Sequence, residues 1–146
     1  MSIELENNSQ TECDEAGLIS LATFALKKMG VHPDSDLSIT IVDEAEMSSL
    51  HVQWMDLEGP TDVLSFPMDE VKPHSTASGP ATVGDIVLCP AFAAKQGLPH
   101  SLEHELNILT AHGVLHLLGF DHAEKEAETE MFALQEQIVQ DWNSST

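Results

Sequence analysis

At 146 residues, 42% of them hydrophobic, the chain has material for one globular core, expected to span residues 1–146, and no apolar run reaches the roughly 18 residues of a membrane helix. Twenty-five acids stand against five lysines (Lys27, Lys28, Lys72, Lys95, Lys125) and no arginine, for a formal charge of −20. Such a surface repels polyanions at long range and argues against tight non-specific binding of nucleic acid, leaving a phosphate to be held by a metal or by backbone dipoles.

The acidic, alternating start, Met1-Ser2-Ile3-Glu4-Leu5-Glu6, reads as a short half-exposed strand and not as a signal peptide. Cys13 and Cys89 are too few and too separated for a disulfide framework. Reduced thiols in a cytoplasmic protein with no membrane association are expected.

Asn7 to Cys13 is polar and loop-like. From Asp14 to Met29, Leu18, Ile19, Ala22, Ala25, Leu26 and Met29 keep a helical period, with Lys27 and Lys28 at the C-terminal end and Gly30 as a stop. Leu37 to Val42 predicts a strand. Asp43 then reads as an N-cap with Glu46 three residues on, ahead of a helix face of Met47, Leu50, His51 and Trp54. His51 is read as a structural histidine. Gly59-Pro60 makes a turn, and Thr61 to Pro67 a strand that proline ends.

A Ser/Thr/Gly-rich loop bracketed by Pro67, Pro73 and Pro80 leads to a fourth strand, Thr82 to Leu88, containing Gly84-Asp85. Pro90 opens a short helix that Gly97 and Pro99 close. Ser101 caps a long helix whose buried side carries Leu102, Leu106, Leu109 and Leu115 or Leu117. A last helix has Ala127, Met131, Leu134, Ile138 and Trp142 as its apolar stripe. Four strands and about five helices in mixed order predict an α+β or mixed α/β fold. The second and third strands would form a right-handed crossover if parallel, and the third and fourth a long hairpin.

The chemistry concentrates in His112-Gly113-Val114-Leu115-His116-Leu117-Leu118-Gly119-Phe120-Asp121-His122. Residues four apart share a helix face, so His112 and His116 can point two imidazoles at one metal ion. Gly119 suits the φ > 0 position that ends a helix, which lets His122 return as a third ligand. Three protein ligands leave the fourth tetrahedral position open, the layout of a catalytic zinc site with one ion per chain. His104 lies about 12 Å up the helix axis, too far to share that ion, and His100 and His104 are set aside. Zinc with an open position points to hydrolysis. The spacing matches the ligands and glycine of the long zinc-peptidase pattern, but Gly113 stands where that pattern needs its glutamate base. The general base is unassigned, with Asp62, Asp85 and Asp121 as weak candidates, each with an equally good structural role.

His112 to His122, Thr61 to Pro67 and Gly84-Asp85-Ile86-Val87, with Glu130-Met131-Phe132 in the tail, together resemble the YbeY family of bacterial metal-dependent endoribonucleases, over roughly Leu37 to Val139. The resemblance implies a small four-stranded mixed sheet with one antiparallel edge strand. It implies zinc held by His112, His116 and His122. It also implies a single-strand-specific endoribonuclease of 3′-end maturation of small-subunit ribosomal RNA and of ribosome quality control. The implied partners are single-stranded rRNA and the small subunit, and the acidity suits a basic ribosomal protein. One departure stands out. Most members carry an arginine a few residues before the Pro-Thr-Asp-Val motif, and here that position is Met55, leaving zinc, Lys72, Lys95 or a partner protein to supply positive charge. The alternatives are a zinc hydrolase of another substrate class and a non-catalytic ribosome-assembly factor with a structural zinc.

Overall fold

The structure is a computed structural model that describes residues 1–55, 61–120 and 124–145; the side chains at 54 and 55 lie outside that description. The turn expected at Gly59-Pro60 and the place of Trp54 on its helix face fall outside the described residues.

The alternating start forms β1 (Ser2–Asn7), with Ile3 and Leu5 turned inward and Glu4 and Glu6 outward. Helix α1 (Glu15–Lys28) begins where Asp14 accepts the Gly17 N–H at 3.0 Å, and β2 (Asp36–Ile41) follows. β1 and β2 are parallel neighbours, so β1-α1-β2 is a crossover unit. Helix α2 (Glu44–Met55) starts after Asp43 as expected, but an Asp43 carboxylate oxygen accepts the Gln10 N–H at 3.1 Å, tying the polar loop to this helix start.

The second and third strands are not parallel, so the crossover that depended on their being so does not arise. The sheet order is β1-β2-β4-β3, with β4 (Thr82–Leu88) parallel to β2 and β3 (Val63–Pro67) antiparallel to β4 at the edge. The composition of the two strands explains this. In β4, Val83, Gly84, Ile86, Val87 and Leu88 are all buried, as a strand paired on both sides requires. β3 ends in Pro67, which has no N–H to donate and is tolerated on an edge. β3 and β4 pair as the long hairpin expected, Val63 opposite Leu88 and Pro67 opposite Gly84. With five α-helices among the described residues, the architecture is the α+β, mixed-sheet fold read from the sequence.

The two faces of the sheet carry packing of different extent. One carries the main core, where Leu37, Ile39, Ile41, Ile86 and Leu88 pack with α1, α4 (Leu102–Leu117) and α5 (Lys125–Ser145). On the other, Val42, Met47, Leu64, Val87 and Cys89 form a smaller cluster beside α2. The short helix α3 (Pro90–Ala94) joins β4 to the loop before α4, whose cap is Ser101 Oγ accepting the His104 N–H at 3.1 Å. Leu115 and Leu117 are both buried. Two contacts tie α1 to α5: Trp142 Nε1 donates to Ser20 Oγ at 3.0 Å, and Lys28 pairs with Asp141 at 2.7 Å, holding that carboxyl below its usual range.

Gly84 sits where β3 and β4 meet most closely. Its φ is +148°, and a Cβ there would lie 2.4 Å from the Phe66 carbonyl oxygen. Gly84→Ala is therefore expected to lower stability by roughly 3 kcal/mol, read as a fall in the urea midpoint. An unchanged midpoint would mean that β3 moves off β4 freely.

Candidate metal centre

Helix α4 lies on the sheet with Gly113 facing it: a Cβ on Gly113 would come within 3.1 Å of the Ile86 side chain. His112 and His116 flank that line on one side of the helix. Their rings stand edge-to-face with centroids 4.5 Å apart, and both side chains are half-buried. They share a cavity of about 460 Å³ with Thr61, Asp62, Val63, Leu64, Ser65 and Pro67, so the Thr-Asp-Val-Leu-Ser-Phe-Pro stretch and the histidine motif build opposite walls of one hollow. A second hollow of about 680 Å³ runs on from His116 and Pro67 between residues 68–73 and the end of α4.

The end of α4 is the glycine stop read from the sequence. Gly119 has φ +93°; its N–H donates to His116 O, and the Phe120 N–H reaches back to Leu115 O, each at 3.1 Å. This pair of bonds is a Schellman cap, which turns the chain sharply away from the helix axis. Asp121 and His122 lie outside the described residues, as does the side chain of Met55.

A residue the sequence reading missed completes the described part of the site. Gln135 on α5 is only 9% exposed, and its Oε1 lies 2.8 Å from His112 Nδ1. Phe132, one turn earlier, stacks on the same imidazole at 6.1 Å with 27° between the planes. The available signal was a glutamine inside the apolar stripe, between Met131 and Ile138. Polar side chains are costly there unless they have a partner.

The aspartates separate. Asp62 lines the cavity that holds His112 and His116. Asp85 does not: its neighbour Ile86 faces α4, and successive strand residues point to opposite faces, so Asp85 points to the side of the sheet that packs beside α2. Among the lysines, Lys72 lines the hollow next to His116, while Lys95 is paired with Glu44 at 2.6 Å. His100 bonds Glu105 at 2.7 Å and packs edge-on against His104 at the start of α4, apart from the pair. Cys13 and Cys89 are free thiols, each raised above its usual pKa chiefly by burial, and neither lines the two hollows at His116.

What the described residues offer is a donor set of two imidazoles on one helix face. One has Nδ1 2.8 Å from a buried amide oxygen, and an Nδ1–H donated there puts the lone pair of the neutral ring on Nε2. That arrangement suits a metal that takes nitrogen ligands, zinc among them.

Comparison with known proteins gives a consistent result. A family model described as Endoribonuclease YbeY matches residues 3–143. Three relatives named Endoribonuclease YbeY align over 97% of this chain. Those from Rhodococcus erythropolis and Corynebacterium diphtheriae are 56% and 57% identical over 82% and 76% of their own lengths. The one from Mycolicibacterium smegmatis is 55% identical over 83% of its length. A Thermotoga maritima protein of known solution structure matches with a TM-score of 0.62 at 28% identity, covering 98% of this chain and 93% of that one.

The helix stop can be tested apart from any metal. A Cβ on Gly119 would meet nothing within 4 Å, so Gly119→Ala should cost only backbone strain, about 1–2 kcal/mol. Urea unfolding of the metal-free protein measures this; no loss would mean the turn tolerates another backbone conformation.

Proposed function

The chain belongs to the endoribonuclease YbeY family, whose reaction is the hydrolysis of RNA, and from that premise we propose that it is a zinc-dependent, single-strand-specific endoribonuclease acting in the cytoplasm on the 3′ end of small-subunit ribosomal RNA and in ribosome quality control. The observation that carries the reading is the His112–His116 pair, 4.5 Å apart in the wall of a cavity whose other wall is Thr61 to Ser65 and Pro67.

In this proposal His112, His116 and His122 hold the ion. Zinc so held supplies a Lewis acid for a phosphoryl oxygen and lowers the pKa of water. The chain's own residues do the rest. The two hollows meet at His116 and Pro67, giving an extended strand a path past the histidine pair. In this reading Lys72, which lines one hollow, would meet a phosphate, and Asp62, which lines the other, would accept a proton. Met55 leaves the family arginine unreplaced by any other arginine, because the chain has none.

A peptidase reading gains nothing from the site. Gly113 faces Ile86 at a Cβ distance of 3.1 Å, so the position after the first histidine points into packing and not into the cavity. The charge of −20 favours one added partner, a basic protein of the small subunit, since complementary charge speeds encounter.

The purified protein should carry about one zinc per chain, and His116→Ala should lose the metal and lower cleavage of single-stranded RNA at least ~100-fold, with a peptide library untouched by either form. RNA cleavage that survives metal loss would sink the mechanism; stoichiometric zinc without hydrolysis would favour an assembly factor. Within the active protein, Asp62→Asn should lower kcat by about 100-fold or more if its carboxylate moves the proton, while Asp85→Asn should stay within about twofold. Equal effects of the two would remove Asp62 from the reaction.

A further inference from the structure

Gln135 is buried in the apolar stripe of α5, between Met131 and Ile138, both of which are fully buried. An amide there is costly unless its polar atoms find partners, and among the described residues no buried side-chain nitrogen or oxygen lacks one. Its Oε1 lies 2.8 Å from His112 Nδ1. A carbonyl oxygen only accepts, so this bond exists only when Nδ1 carries the proton. In a neutral imidazole the lone pair is then on Nε2. Phe132, one turn before Gln135 on the same helix, lies beside the ring with centroids 6.1 Å apart and 27° between the planes. This placement of the amide oxygen matches the Nδ1–H tautomer of His112.

We propose that Gln135 is a positioning residue for the metal centre: its side-chain carbonyl holds His112 in the Nδ1–H tautomer and presents Nε2 as the ligand nitrogen. The inference rests on the metal reading of the site, but its first half concerns the metal-free protein alone. A neutral amide performs this task differently from a carboxylate. It orients the imidazole without adding another negative charge to a chain of −20, and without raising the basicity of the ring as a carboxylate would. The chain therefore gains orientation here while leaving the ion's charge less offset by its surroundings, which suits a site that must attract a phosphate with few cations at hand.

Two substitutions of similar volume isolate the hydrogen bond from packing. Gln135→Met fills the space without an acceptor; Gln135→Glu restores one. Long-range 15N–1H spectra of the metal-free protein read the tautomer of His112, assigned by its loss in His112→Asn. Wild type and Gln135→Glu should show the Nδ1–H form, and Gln135→Met a mixture. Zinc competition against a chelator should then show Gln135→Met weakened roughly 10–100-fold and Gln135→Glu equal to wild type or tighter. Near-UV circular dichroism establishes that each variant is folded.

A folded Gln135→Met with the wild-type tautomer, or with zinc affinity within about twofold of wild type, overturns the proposal. Wild type that shows the Nδ1–H form yet binds no zinc sinks the metal reading, and with it the role toward the metal, while leaving the tautomer assignment standing. If Gln135→Met does not fold, the wild-type spectrum alone decides: an Nε2–H signal for His112 overturns the proposal.

Discussion

The close approach of α4 to the sheet sets everything else in this molecule. Gly113 brings the helix backbone against Ile86, and Gly84 brings the strand backbone against Leu117, each where a Cβ would stand only 3.0–3.1 Å from the opposing side chain. With Gly113 on the line of contact, the helical period places His112 about 100° and His116 about 60° to the same side of that line. Both therefore emerge on one flank, where β3 runs. Ser65 on β3 marks the join, its hydroxyl reaching the Gly113 carbonyl at 3.4 Å. Had α4 been held off by a larger residue at 113, its rotation on the sheet would be set by another contact, and the pair would not be fixed over the β3 wall.

This dependence explains what could be read from the sequence and what could not. Local patterns sufficed for the strands, the helices and their stops, because alternation, caps and glycine at φ > 0 are properties of neighbours in the chain. Asp14, Ser101 and Gly119 do what their types and positions imply. Pairing is not local. The local pattern leaves the order of the second, third and fourth strands open; β4 lies between β2 and β3, since the more buried strand takes the centre and the proline-ended one the edge. Asp85 shows the same limit. It stands among three weak candidates for the base, and only the register, with Ile86 against α4, places it on the far face. Gln135 lies 23 positions from His112, and no spacing rule connects them.

The charge raises a separate problem for an RNA enzyme. Most nucleic-acid affinity comes from phosphates neutralised by lysine and arginine, and this chain has 5 such residues against 25 acids. Two of the five are engaged by carboxylates, Lys28 by Asp141 and Lys95 by Glu44. Exposed pairs of this kind add little stability, yet each keeps its lysine away from a passing phosphate. Composition thus gives the chain little simple electrostatic attraction for a polyanion.

The same reasoning gives the arrangement around His112 its value. When long-range attraction is weak, a metal bound at the proposed site would gain from ligands that are already ordered. An imidazole free in solvent loses rotamer and tautomer freedom when it coordinates; one whose Nδ1 is bonded to Gln135 would lose less. The helix that supplies Gln135 is itself fixed to α1 through Trp142 and Ser20, and α1 belongs to the crossover that founds the sheet. In the proposed site the entropy of ordering one ligand would thereby be met by the stability of the whole fold, and not by the binding of a metal or substrate.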